Sequence, residues 1–221
     1  MKKQLVIFGA GDIAQLAHYY FTNDSNYEVV AFTVDAAYKT EPTFCDLPVI
    51  AFEEIRKFYT VEQYDIFVAL SYSNLNEVRK DKYTAVKMMG YQLASYVSSK
   101  ATILNEGSIG ENCFILENNT VQPFVTIGNN VTLWSGNHIG HHSTIESHVF
   151  IASHVVISGG VKIGSQSFIG VNATLRDHIE VGEKCVIGAG ALLMADAEPE
   201  GLYIGTASIR SKVPSTKLKK I

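Results

Sequence analysis

The sequence predicts a mainly β protein: a left-handed parallel β-helix preceded by a small α/β domain of Rossmann-like type. Three observations carry that expectation. From residue 97 to residue 193 an aliphatic side chain falls on every sixth position in one register, from Val97, Ile103 and Ile109 through to Val181, Ile187 and Leu193. The residue four places after each is mostly small or branched, as at Ala101, Cys113, Val125, Ser143, Val155, Ala173 and Ala191. Ahead of the repeat, apolar runs alternate with helical patterns, as expected for a parallel sheet flanked by helices. A period of six suits neither an amphipathic helix nor an ordinary strand. It suits a solenoid in which six residues make one short strand and one corner, with three hexads closing a triangular coil.

Taken in order, residues 4–8 form a buried-strand run that breaks into Gly9-Ala10-Gly11-Asp12-Ile13-Ala14, and a helical pattern follows over 13–21. A second strand over 28–34 ends at Asp35. Further strands are predicted at 48–51, 65–70 and 92–97, with helices at 52–58 and 75–89 between them. The last strand passes straight into the first hexad, which sets domain bounds at 1–96 and 97–194, with a tail over 195–221. Glycine follows the aliphatic position at Gly110, Gly128, Gly140, Gly164, Gly170, Gly182 and Gly188, and is read as the permissive backbone of a corner.

The G-x-G-x-x-A spacing lies between a strand and a helix, with an acid about 20 residues on at Asp35. Glycines let a backbone approach a pyrophosphate, a helix N-terminus offers free N–H groups, and a carboxylate binds ribose hydroxyls. A dinucleotide cofactor and the nucleoside diphosphate of an activated sugar both fit that chemistry. The domain is short for a full dinucleotide fold, which favours the nucleotide sugar; a purely structural tight turn is the bland alternative.

Bulk properties narrow the class. A formal net charge of −4 over 221 residues argues against a protein that grips nucleic acid by its phosphates. The basic run Arg210, Lys212, Lys217, Lys219 and Lys220 reads as a solvated terminus. The three cysteines, Cys45, Cys113 and Cys185, are too widely spaced for a metal knuckle or a disulfide framework. With no signal peptide and no apolar stretch long enough to span a bilayer, a cytoplasmic protein is expected.

Five of the seven histidines lie between His138 and His154. Hexad position sets direction. His141 and His142 share one corner, while His148 and His154 repeat the place of His142 on the next two corners, so the group points outward at different edges. A neutral imidazole suits proton transfer near neutral pH, and two neighbours on one corner make Asn137 to His142 the place to expect chemistry. A three-histidine metal site is disfavoured because no histidine lies in the coils upstream. Flat coil faces carrying Phe124 and Phe150 predict side-by-side association as a homotrimer of about five to six coils per subunit, from three hexads per coil.

With these motifs in place, the chain resembles the hexapeptide-repeat acyltransferases that carry an N-terminal nucleotide-binding domain. Within them it is most similar to nucleotide-amino-sugar N-acetyltransferases of the bacillosamine-pathway type and to sialic acid O-acetyltransferases. The resemblance implies acetyl-CoA as co-substrate, no metal, and a UDP- or dTDP-linked 4-amino-6-deoxy sugar as acceptor, for bacterial surface glycans. Sugar O-acetylation is the runner-up. It implies a homotrimer with active sites at subunit interfaces. The family's I-x-H falls on Ile139-Gly140-His141, which makes His141 the general base. The acid that follows the base in the family falls on His142, leaving Glu146 as the candidate carboxylate to orient it. The family's sugar-contacting amide falls on Trp134, whose face would stack on an apolar sugar face. Gly159, Val171 and Ala189 match the acyl-CoA groove, and the family's closing G-V-P-A appears as Gly205-Thr206-Ala207-Ser208. Gly9, Gly11, Asp12 and Asp35 fall to the nucleotide sugar, with Asp12 standing where the family has a histidine.

Overall fold

The computed structural model describes residues 2–217, so Lys219 and Lys220 of the basic run lie outside the described residues. The chain opens with β1 (Lys3–Phe8), α1 (Asp12–Asn23), β2 (Tyr27–Val34), β3 (Thr43–Phe44), β4 (Leu47–Ala51), β5 (Tyr64–Val68) and α2 (Glu77–Met88). The helical pattern at 52–58 is a 3-10 helix, Phe52–Lys57. The sheet runs β3-β4-β2-β1-β5. Its four longer strands are parallel, and β3 forms a short antiparallel hairpin with β4 that the apolar pattern does not predict. The chain leaves β1 at the point where strand order reverses, between β2 and β5, which is where open α/β sheets bind ligands. Segment 92–97 then serves both halves: Leu93 bridges Ile66 of β5, and β6 (Tyr96–Val97) pairs with Phe114–Ile115 in the coil.

The rest is a left-handed parallel β-helix of two-residue strands in three sheets, of seven, six and four strands. Partners lie one turn of 18 residues apart, as Ile115, Leu133 and Ile151 do. The second residue of each strand points inward, so Ile115, Leu133, Ile151, Ile169 and Ile187 stack in a fully buried column. Two asparagines join the inner positions. Asn119 and Asn137 are buried, and their amides bond backbone groups of neighbouring turns, such as Trp134 O and Val155 N, so little polar capacity is wasted. Burial raises the Cys113 thiol to about 11, as befits a packing residue.

Two expectations change. The glycines after each aliphatic residue do not take left-handed backbone; they are needed because the next turn lies against them. A Cβ on Gly140 would come 2.6 Å from Gly159 N, and one on Gly128 2.7 Å from Ser147 N. Left-handed backbone occurs two residues later, at Asn112, Asn118, Phe124, Asn130, His142, His148, His154, Gln166, Asn172, His178 and Lys184. Asparagine and histidine are among the residues that tolerate it best, which gives His142, His148 and His154 a conformational reason to be there. The coil also continues past 194. Ala197 bridges Val181, and Leu202–Tyr203 pairs with Val186–Ile187, so the tail proper starts after residue 203.

The three faces of the prism differ. Outward positions of the seven-stranded sheet carry Tyr96, Phe114, Thr132, Phe150 and Phe168, and the α/β domain covers them. Phe150 is therefore only 3% exposed, packed by Tyr72, Phe168 and Trp134, whereas Phe124, on a corner, is 66% exposed as expected. Thr126, Thr144, Lys162 and Glu180 occupy the same outward positions on the four-stranded sheet.

One buried cation fastens the domain. Arg79 of α2 donates to Asn130 O (2.7 Å), Thr132 Oγ1 (2.9 Å), Asn76 Oδ1 (3.0 Å) and His148 O (3.2 Å), with its guanidinium over the Phe150 ring. Burial lowers it to about 10, so it stays charged at neutral pH. Asn112 adds a pair of hydrogen bonds to the amide and carbonyl of Val68 in β5.

Candidate functional site

The Gly9–Asp12 turn borders a cavity of about 640 Å³ that also takes in Ile13, Tyr72 and, from the coil, Trp134. Its two glycines do different things. Gly9 has φ +127°, and a Cβ there would press on Ala69 O at 2.7 Å, so the fold itself requires glycine. Gly11 would meet no protein atom within 4 Å. It is the N-cap of α1 with no side-chain cap, leaving helix N–H groups facing the space beside it. The loop after β5, Leu70 to Ser73, closes the opposite side. Sequence reasoning missed that loop, although its place at a strand's carboxyl end was the available signal.

Asp35 lies in an adjoining cavity of about 270 Å³ that shares Gly9, Ala10 and Val78 with the first and adds Tyr38 and Lys82. Its carboxylate is paired with Lys82 Nζ at 2.6 Å, and that ammonium also sits over the Phe8 and Phe52 rings. Lys82 was not legible in the sequence because it comes from a helix facing the sheet end, with no motif around it.

The histidine corner is elsewhere. His141 donates its backbone N–H to Gln122 Oε1 (2.8 Å), and its carbonyl accepts from Gly160 N (2.8 Å). Its ring lies against Gly159, where a Cβ would come 2.6 Å from Cε1 and 2.7 Å from Nε2. Nδ1 faces His142 Nδ1 at 3.1 Å, with the two rings nearly perpendicular. Glu146 does not join them within the chain. It stands on the following corner, where its carboxylate accepts from Ser165 N (3.1 Å) and pairs with Lys162 at 3.7 Å. The counting rule that puts His141 two places after Ile139 puts Glu146 one place after Ile145, on another face.

His148, His154 and His178 are held by the scaffold around them. His148 meets Asn130 Nδ2 through Nδ1 (2.9 Å) and packs on Tyr83; burial, then the Arg79 and Lys80 charges, push it down to about 4. The His154 ring fills the space left by Gly136, and the His178 ring that left by Gly160. Among the described residues no group of three His, Cys, Asp or Glu side chains comes together as a metal site. Nor, among them, is any helix long and apolar enough to cross a membrane.

The matched positions thus divide between two edges of one prism. Trp134, Val171 and Ala189 follow strands of the seven-stranded sheet, and His141 and Gly159 follow strands of the six-stranded sheet. Gly205 packs closely on Ala189 at the end of the first edge. Trp134 lines the junction cavity, and His141 is not among the residues around it.

Comparison with known proteins sets this geometry in context. Residues 107–141, 125–159 and 160–194 match the family described as bacterial transferase hexapeptide (six repeats). A search of curated protein sequences finds no match. Among solved structures, the acetyltransferase domain of PglB from Neisseria gonorrhoeae superposes with a TM-score of 0.82 at 24% identity, covering 92% of this chain and 97% of that one. A histidine variant of perosamine N-acetyltransferase from Caulobacter crescentus, in complex with CoA and GDP-perosamine, gives 0.79 at 20% identity over 91% and 93%. WeeI from Acinetobacter baumannii gives 0.64 at 18% identity over 86% and 93%. The coil over 107–194 thus matches the repeat of the bacterial transferase hexapeptide family, and the chain shares its two-part fold with these three proteins.

Proposed function

We propose that the protein is an acetyl-CoA-dependent N-acetyltransferase acting on the amino group of a nucleotide-linked 4-amino-6-deoxy sugar. The observation that carries this reading is the junction cavity, where a phosphate-type glycine turn and the coil residue Trp134 face one another. Gly11 and the start of α1 receive the diphosphate, and Asp12 and Asp35 contact the nucleotide, Asp35 together with Lys82. Trp134 stacks on the deoxy face of the sugar. UDP and dTDP are the nucleotides expected, and the complex of the Caulobacter relative adds GDP to those worth testing. The acceptor and donor are both cytoplasmic metabolites, which places the reaction there.

The division between two edges supports a trimer. Three prisms with their six-stranded sheets toward a common axis bring the His141 edge of each against the Trp134 edge of the next. That arrangement would cover Val156 and Leu192, apolar and exposed on the six-stranded face of a single chain. Acetyl-CoA would lie along that seam, beside Gly159 of one chain and Val171 and Ala189 of the other. His141 Nε2 takes the proton as the sugar nitrogen attacks the thioester carbonyl. The C–N bond forms, the C–S bond breaks, and CoA leaves as the thiol once it is reprotonated. Base catalysis of this type contributes about 10²–10⁴-fold.

The test is thiol release from acetyl-CoA across a panel of UDP-, dTDP- and GDP-linked amino sugars. One nucleotide sugar should turn over, and Gly11→Val should raise its KM while leaving that of acetyl-CoA alone. Absence of turnover with every member, or equal effects of Gly11→Val on both substrates, refutes the reading.

A further inference from the structure

We infer that His142 is the positioning partner of His141 in an uncharged imidazole pair: its Nδ1 accepts the proton on His141 Nδ1 and so leaves Nε2 of His141 as the base. The inference rests on the reading of His141 as the base. Among the described residues no carboxylate hydrogen-bonds to His141, and its Nδ1 has a single side-chain partner, His142 Nδ1 at 3.1 Å. Two imidazole nitrogens at that separation share a hydrogen bond only when one carries the proton and the other a lone pair. If His142 donated, the remaining proton of neutral His141 would sit on Nε2, which then could not accept another. Only the opposite arrangement yields a base at Nε2.

Both rings are held by the coil as well as by each other. His142 has left-handed backbone at φ 60°, donates its N–H to Pro123 O and lies against the Phe124 ring at 4.7 Å. His141 is fixed by Gln122 and by the bare backbone of Gly159. The charged and titratable groups nearest along the same edge are four, Glu106, two turns before the pair, and Arg176, Asp177 and His178, two turns after it; Asp196 lies three turns after and accepts from Glu180 N, and His138 stands on the strand that leads into the corner. Arg176 bonds Met194 O and approaches Asp177 at 3.8 Å, and the His178 ring lies on Gly160; none of the four hydrogen-bonds to the pair. Lys162 and Glu146, on the adjoining face, pair with each other. When His141 accepts a proton, its Nδ1–H therefore points at a neutral acceptor, where a carboxylate would hold the imidazolium more firmly.

Three substitutions in the full-length protein test this, read as kcat, KM and the pH profile of kcat/KM. Asn and Gly both fit the left-handed backbone, Asn at the equivalent place of other corners (Asn112, Asn130) and Gly one turn on at Gly160. His142→Gly, which removes the acceptor, should lower kcat by about 10- to 100-fold with both KM values unchanged, less than the loss of the base itself would cost. His142→Asn, which keeps a neutral acceptor, should restore most of that loss. His142→Asp should stay active and move the acid limb of kcat/KM to higher pH, because a carboxylate favours the imidazolium. Wild-type kcat in His142→Gly, no recovery in His142→Asn, or an unmoved limb in His142→Asp would each overturn the pair. His141→Ala separates the two ideas. If it turns over normally, the base reading itself is wrong; if it is crippled while His142→Gly is normal, only the pair is wrong.

Discussion

His141 and His148 lie seven residues apart on neighbouring corners of one coil, and the fold treats them in opposite ways. His148 faces the α/β domain, under Tyr83 and beside Arg79, with its Nδ1 committed to Asn130. His141 faces solvent, on a glycine backbone, with no protein partner at Nε2 among the described residues. Both residue types arise from the same repeat, and the left-handed place that His148 fills is a conformational niche for Asn, His or Gly. What separates a histidine locked into the scaffold from one left open at the surface is which face of the prism the domain covers. A count of histidines along the sequence carries no such information.

That contrast can be broken by substitution. The largest effect is expected at the open corner: His141→Ala should reduce kcat by about 10²–10⁴-fold with both substrates still bound, measured in steady-state kinetics. His148→Asn, in the same assay, should leave kcat and both KM values alone. At the covered corner the large effect is on folding. Arg79→Met removes the donor to Asn130 O, Thr132 Oγ1 and His148 O, and should lower unfolding free energy by roughly 3–5 kcal/mol in a urea titration, because several buried acceptors lose their partner at once. A loss below about 1 kcal/mol would mean that water replaces the guanidinium, contrary to its burial.

The smallest effect is in pH dependence. The His148 value in the folded chain, about 4, lies below its ordinary value of 6.5. The unfolded chain therefore binds the proton first as pH falls, and stability from this residue is complete above pH 6.5 and is lost progressively between 6.5 and about 4. His148→Asn keeps the left-handed backbone and cannot titrate, so its stability curve should be flatter than wild type across that window. Parallel curves would show that His148 ionises in the folded chain as readily as in the unfolded one.

How much of this could be read beforehand follows from what each feature depends on. The coil depends on local spacing, so the aliphatic register from Val97 to Leu193 locates its strands almost residue by residue. The glycine turn between β1 and α1 is likewise local. Which face is covered was also written in the chain, as aromatics at Tyr96, Phe114, Phe150 and Phe168 in steps of 18 or 36, a longer period than the hexad and easily overlooked beneath it. Arg79 and Lys82 were not legible. Each sits on α2 among other charged residues, and only tertiary packing distinguishes the two from Lys80 or Lys87. The separation of Glu146 from His141 within the chain has a related cause: five residues along the sequence is a different corner in a triangular coil.

The Asn76–Lys87 stretch reaches one edge of the coil over four consecutive turns, through Tyr83 and Lys87 to Glu111, Arg79 to Asn130 and His148, and Asn76 and Lys80 to Gln166. A solenoid held only by contacts between adjacent turns behaves as a linear chain of coupled units that can unzip from an end. Here the helix acts as a splint, joining units that are not neighbours and making turns 111 through 166 open as a block. Among the described residues the turns beyond Gln166, closing with Leu202–Tyr203, have no such brace from the helix, so a single chain should open first at its C-terminal end, next to Val171, Ala189 and Gly205. The proposed acyl-CoA seam would then depend on the neighbouring chain to hold one of its ends, while the histidine corner lies in the block that the helix itself secures.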